Sequence, residues 1–185
     1  TSTSSIWVNQ RGQRAIVNYR PERSGELLSL QELETRCLLM DGHEFEASVF
    51  ALEQFSAIPS VLDAGSLNEF TLELSSKITH LVASSTFAKD LSESDETSDW
   101  IRKLSEQAPF VAVSLGDRGV LWQTKDGSHG NIQAPSVEAI DTTAAGDIFH
   151  GACALALAKG KPFPVALAWA NEVAAISVTK LGGRV

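Results

Sequence analysis

The chain has 185 residues, of which 43% are hydrophobic and 21% charged, a balance that suits one core-forming domain or slightly more and excludes a disordered tail. Fifteen Lys and Arg against 23 Asp and Glu leave a net charge of -8, so the chain offers no basic footprint for nucleic acid or an anionic membrane surface. No apolar stretch approaches the ~20 residues of a membrane-spanning helix. Cys37 and Cys153 sit within apolar stretches and read as small core residues, not as a disulfide or metal pair, which fits a reducing, cytoplasmic setting. The chain starts at Thr1 without Met and stops at Leu181 to Val185, a loop and what reads as the opening of a strand, so a fragment of a longer protein is the expectation.

Ile6 to Val8 and Ala15 to Tyr19 are β-prone runs joined by the polar, Gly-containing segment Asn9 to Arg14, the pattern of a hairpin. After the loop-forming stretch Pro21 to Gly25, Cys37 to Met40 reads as a strand, and Phe45, Val49, Leu52 and Phe55 recur at helical spacing. The unit then repeats. Val61 to Asp63 is a strand and Asn68 to Lys77 a helix; Leu81 to Ala83 is a strand, followed by helical patterns over Phe87 to Leu91 and Asp95 to Gln107. Phe110 to Leu115 is nearly all apolar, as in a strand buried on both faces of a parallel sheet. Val120 to Gln123 and Gly130 to Ala134 flank the turn Asp126-Gly127-Ser128 as a second hairpin. Two helices close the chain: one from about Gly146 to Lys159, stopped by Gly160 and Pro162, and one from Pro164 to about Thr179. The latter is apolar almost all round (Leu167, Trp169, Val173, Ile176), which places it against other elements and not on an open surface.

Strands alternating with helices imply an α/β architecture with a largely parallel sheet, in which ligands collect at the carboxyl ends of the strands. Attention therefore falls on the turns after Met40, Asp63, Ala83 and Leu115 and on the helix entry at Gly146. In Asp141-Thr142-Thr143-Ala144-Ala145-Gly146-Asp147, small residues let a ligand approach the backbone where a helix begins. The first-turn N–H groups have no partner within the helix and, with its dipole, suit a phosphate. Asp147 in that turn could take a proton from a hydroxyl attacking a phosphoryl group, or could simply stabilise the helix N-terminus. The spacing alone leaves the two readings level.

Asp141 to Asp147, with Gly151 and Ala152 following, resembles the D-T-x-G-A-G-D signature of the ribokinase-like (PfkB-type) carbohydrate kinases. Val113-Ser114-Leu115-Gly116-Asp117-Arg118-Gly119-Val120 resembles the family's strand and T-L-G-x-x-G nucleotide turn. Asn171 to Ala175 resembles the helix bordering the adenine, and Gly12 with Arg14 the G-x-R of the lid hairpin. The resemblance runs over essentially the whole chain and implies a three-layer α/β/α fold with a mainly parallel central sheet and a small β lid. Residues 1–25 would be part of that lid and residues 26–185 the carboxyl-terminal part of the kinase domain, the family's amino-terminal part being absent. Most sugar contacts belong to that part, so the 185-residue piece alone is expected to transfer little phosphate.

The resemblance further implies an ATP-dependent transfer of the γ-phosphoryl group to a primary alcohol of a small carbohydrate. Asp147 would be the general base and Ala144, Ala145 and Gly146 the anion hole. Ser114, Gly116, Asp117, Arg118, Gly119 and Asn171 would line the nucleotide, Asp141 and Thr143 would help hold a K⁺ ion, and Mg²⁺ would arrive with ATP, without a direct protein ligand. The added methyl at Ala144 is expected to exclude a positive φ while leaving the N–H available. Ser84 to Phe87 stands where the family carries N-x-x-E, as in ketohexokinase-like members, which favours a ketose. An inactive scaffolding member, or a nucleoside or vitamin kinase of the same fold, are the alternative readings. Trp7 on the first strand would line either a lid, a homodimer contact through it, or the main domain. The histidines His43, His80, His129 and His150 show no zinc-ligand spacing, and His150 reads as a core residue. Asp41-Gly42-His43 reads as a turn, Asp63-Ala64-Gly65 as a supporting turn near the nucleotide, and Asp90 to Asp99 as a solvated face.

Overall fold

The computed structural model describes residues 3–8, 14–19 and 34–182. β1 (Thr3–Val8) and β2 (Arg14–Tyr19) form an antiparallel two-stranded sheet, in register from Thr3 opposite Tyr19 to Val8 opposite Arg14. Gly12 in their connection and the loop Pro21 to Gly25 lie outside the described residues; Arg14 opens β2.

The main sheet has six strands in the order β3-β4-β5-β6-β7-β8. They are β3 (Leu38–Met40), β4 (Ser60–Ala64), β5 (His80–Ser84), β6 (Phe110–Ser114), β7 (Val120–Thr124) and β8 (His129–Ile132). The first four are parallel, and β7 and β8 return as an antiparallel hairpin. Between the parallel strands run α1 (Phe45–Gln54), α2 (Glu69–Ser75), then α3 (Ser85–Ser92) with α4 (Thr97–Ser105). Because each strand is added on the same side of its predecessor and parallel crossovers are right-handed, all four helices fall on one face. After the hairpin the chain crosses to the other face as α5 (Ala145–Ala158) and α6 (Phe163–Ser177). The result is the three-layer α/β/α arrangement that the motif order implied.

Strand periodicity divides the core in two. Leu62, Leu81 and Val111 point towards α1 to α4 and meet Leu74, Phe87, Trp100 and Leu104. Val61, Val82 and Ala112 point the other way and meet Phe149, Cys153, Leu157 and Leu167. Both cysteines are free thiols; burial pushes Cys37 up to about 11 and Cys153 to about 12, so they behave as the inert small core residues expected. Asn68 caps α2 by accepting from the N–H groups of Phe70 and Thr71, and the Thr71 hydroxyl reciprocates towards the N–H of Asn68, which explains why the helix begins just after it.

α6 departs from expectation. Leu167 is fully buried, but Val165, Trp169 and Ile176 are 51%, 38% and 58% exposed, so one long side of this helix faces outward despite its apolar composition. The sheet can cover only one side of a helix lying on it, and the residues near 163, 167 and 170 occupy that side.

His80 lies on the α6 face, stacked on Phe110 with ring centroids 4.6 Å apart and edge-on to Phe163 at 5.0 Å. Burial pushes its imidazole down to about 4 from 6.5. The unfolded chain therefore takes up this proton before the folded one does. Stability on the order of 3 kcal/mol is present above about pH 6.5 and is lost as the pH falls towards 4. Denaturant titrations across that window should show this slope in the wild type and a flatter profile in His80→Phe; equal slopes in the two proteins would contradict the assignment.

Candidate active site

α5 begins with a backbone turn and no side-chain cap: Ala144 is the N-cap residue, at φ +60 and ψ +12. This overturns the expectation that its methyl excludes positive φ. Two bonds impose the turn. The Thr143 N–H donates to Asp141 Oδ1 at 2.8 Å, and the Ala145 N–H donates to the Thr142 carbonyl at 3.2 Å, so the chain must reverse at Ala144 to enter the helix. A left-handed alanine costs roughly 1 kcal/mol. Ala144→Gly is accordingly expected to raise stability by about 1 kcal/mol, measured as a shifted denaturation midpoint with unchanged slope.

The bond from Ala145 also changes the expected anion hole. Its N–H is engaged, whereas among the described residues the N–H groups of Ala144, Gly146 and Asp147 meet no acceptor. A Cβ on Gly146 would touch nothing within 4 Å, so the space above the turn is open. Asp147 is exposed in the first turn, beside those donors. Asp141 anchors the loop from both oxygens: Oδ1 to Thr143, and Oδ2 accepting from the Gly182 N–H at 2.9 Å, which ties the exit of α6 to the entry of α5.

The next turn of α5 fixes where this site lies on the sheet. His150 Nε2 lies 3.1 Å from the Val82 carbonyl and Nδ1 lies 3.1 Å from Asp63 Oδ2, while Cys153 further along shares an apolar cluster with Cys37 before β3. α5 thus runs antiparallel to the parallel strands, and its first turn stands at their carboxyl ends. Asp63 is the polar member of the row Asp63, Val82, Ala112 that faces α5. Burial pushes its carboxyl up; His150 draws it back, while Asp147 and Asp41 push it further and His43 opposes them. Sequence reasoning gave Asp63 only a supporting place and His150 a core one, and their pairing went unforeseen. The available signal was a carboxylate in the otherwise buried run Val61-Leu62-Asp63-Ala64.

β6 ends in the second expected element. Gly116, Asp117 and Arg118 form a short 3₁₀ turn, all three exposed, with Gly116 at φ +63 and Gly119 at φ +89. The turn is closed by the Leu115 N–H donating to the Gly119 carbonyl at 2.8 Å. Gly119 is buried against the strand exit at Ile132 to Ala134. Asn171 on α6 is buried and donates its amide to the Gln133 carbonyl at 2.9 Å, holding that exit from behind. Asn171 is therefore joined to the 116–119 turn through this segment. The Ser114 hydroxyl donates to the Ala83 carbonyl at 3.4 Å, and Ser84 caps α3 by accepting from the Phe87 N–H at 3.0 Å. The segment standing for N-x-x-E is thus a helix cap. Asp41 behaves as a turn residue, accepting from the His43 N–H at 2.9 Å, with Gly42 at φ +78 against Thr71.

A largely parallel sheet carries, at the carboxyl ends of its strands, an uncapped helix N-terminus, a first-turn carboxylate and a glycine turn, which is where α/β proteins of this class collect anionic ligands. The family model described as pfkB family carbohydrate kinase matches residues 1–185, and the chain belongs to that family. It is similar to a ribokinase of Staphylococcus aureus, 32% identical over 144 residues covering 74% of this chain and 47% of the relative. It is also similar to a ribokinase of Haemophilus influenzae, 45% identical over 74 residues, 40% of this chain and 24% of the relative. The crystal structure of ribokinase from Thermotoga maritima superposes with a TM-score of 0.82 at 28% identity, covering 99% of this chain and 65% of that one. The chain thus spans less than half the length of these curated relatives and about two thirds of that structure. Among the described residues no helix is long and apolar enough to cross a membrane, and no cluster of three or more His, Cys, Asp or Glu could hold a metal ion.

Proposed function

We propose that the whole protein is an ATP-dependent sugar kinase that transfers the γ-phosphoryl group to a primary hydroxyl of a small carbohydrate. The observation that carries this reading is Asp147, exposed in the first turn of α5 beside the N–H groups of Ala144, Gly146 and Asp147 that meet no described acceptor. Asp147 takes the proton of the attacking hydroxyl as the general base. The backbone donors of the Ala144 to Gly146 turn stabilise charge on the transferring group, where preorganised dipoles act most strongly. Ala145 contributes by shaping that turn, since its own N–H is bonded to Thr142. The 116–119 turn lies under the nucleotide, with Ser114, Asp117 and Arg118 at its rim and Asn171 bracing the strand beside it.

The open space over Gly146 and over Gly116 fits phosphates that approach the backbone closely. Mg²⁺ carried on the ATP phosphates would neutralise their charge, and K⁺ would be held at Asp141 and Thr143, in the loop that the Asx bond already orders. The hairpin β1–β2 serves as the lid over the sugar and is a candidate homodimer contact. The names of the relatives support a sugar as acceptor; the ketose favoured by Ser84 to Phe87 is one arm of the test and ribose another.

The experiment is ADP release by the whole protein with a panel of ribose, ketoses, nucleosides and vitamin alcohols. Phosphorylation of a sugar establishes the reading and names the acceptor. Turnover confined to nucleosides or vitamins would move the acceptor class, and nucleotide binding with no turnover on any alcohol would favour an inactive binding member.

A further inference from the structure

We propose that His150 and Asp63 form a buried imidazolium–carboxylate pair that positions the first turn of α5, making both of them positioning residues for the transfer proposed above, on which this role rests. His150 is only 5% exposed. Its Nε2 faces the Val82 carbonyl at 3.1 Å and its Nδ1 faces the Gly146 carbonyl at 2.7 Å. Carbonyl oxygens only accept, so each contact requires a hydrogen on the ring nitrogen. A neutral ring would set one nitrogen lone pair against a carbonyl oxygen in a buried site. The ring that satisfies both contacts carries two hydrogens and a positive charge, and a buried charge needs a counter-charge. Asp63 supplies it: Oδ2 is 3.1 Å from Nδ1, with the carboxylate side chain 21% exposed.

The pair joins three elements. Asp63 comes from β4, Val82 from β5, and His150 reaches back one helical turn to Gly146, within the turn that presents the anion hole and next to Asp147. The imidazolium thereby ties the open, side-chain-uncapped start of α5 to the rigid centre of the sheet. The charged groups that act on Asp63 are His150 itself and Asp147 from α5, with Asp41 and His43 beyond β3. A small displacement of the turn would move the base and the donors relative to the reacting phosphoryl group, an error to which such transfers are very sensitive.

The test has a readout independent of turnover. Long-range ¹H–¹⁵N NMR of the imidazoles in the 185-residue chain at about pH 7.5 should show both His150 nitrogens carrying hydrogen, as the two carbonyl contacts require. Asp63→Asn should convert the ring to a neutral form. A wild-type His150 with one unprotonated nitrogen would overturn the pair, without recourse to any variant. In the whole protein, Asp63→Asn and His150→Gln should lower kcat roughly 10- to 100-fold while KM for ATP stays within about twofold. Unchanged kcat, or loss appearing only in KM, would overturn the positioning role. A doubly protonated ring in a whole protein that phosphorylates no acceptor would leave the pair standing and remove the kinase reading, and with it the positioning role.

Discussion

Replacing Asp147 by asparagine is expected to lower kcat for phosphoryl transfer about a thousandfold, the usual range for removing a general base being roughly 10² to 10⁴. The replacement keeps the size and shape of the side chain, and Asp147 is exposed, so its charge touches the fold only through a helix-terminus contribution of a few tenths of a kcal/mol and a repulsion of Asp63 that the replacement relieves. Nucleotide affinity should change little, because the N–H groups of the turn and the open space over Gly146 are untouched. Initial-rate kinetics with the best acceptor of the panel, together with calorimetric titration of the nucleotide, separate the two quantities. Turnover of the asparagine protein at the wild-type rate would overturn the assignment of the base, and with it the kinase mechanism as drawn. A thousandfold loss with binding intact would also dispose of the bland alternative, in which Asp147 only complements the helix dipole.

Gly119→Ala is expected to destabilise the protein by about 3 kcal/mol or more and to weaken nucleotide binding in whatever folded protein remains. Two costs combine. The residue sits at φ +89, outside the conformations an alanine adopts readily, and its Cβ would lie 1.9 Å from the Ile132 carbonyl oxygen and 2.8 Å from the Ala134 nitrogen. Both are backbone atoms and cannot swing aside like a side-chain tip, while Asn171 holds the intervening Gln133 carbonyl in place. Relief therefore requires moving the strand exit or opening the 116–119 turn closed by the Leu115 to Gly119 bond. Gly116→Ala makes the control: it shares a positive φ of +63 but meets nothing within 4 Å, so it should cost only about 1 kcal/mol. Equal midpoints for the two variants in chemical denaturation would show that the contact with Ile132 does not govern this site.

Much of the fold was legible from the residues because its signals are local. The helix from Glu69 is announced by Asn68 and Thr71, which satisfy each other's backbone groups within four residues. β6 is announced by an unbroken apolar run, since a central parallel strand is covered on both faces. The turn into α5 was legible as a site because its small residues and first-turn acid are contiguous. Its conformation was not: alanine propensity argued against φ +60 at Ala144, and the bonds that Thr143 and Ala145 donate to Asp141 and Thr142 prevailed over that preference. The outer side of α6 misled for a related reason. Composition reports how apolar a helix is, but not how many of its sides the sheet can reach.

The sequence by itself determined the alternation of strands and helices, the two glycine-bearing turns, Asp147 as the candidate base and the family those motifs resemble. These rest on periodicity and on neighbours along the chain. Only the tertiary structure decided that Asp63 of β4, Val82 of β5 and His150 of α5 meet beneath the start of α5, and that Asn171 braces the 116–119 turn through Gln133. Those partners are separated by tens of residues, and their meeting depends on strand register and on the direction of α5 across the sheet. A single polar residue in an apolar strand marks that something must compensate it; which residue does so is set by packing.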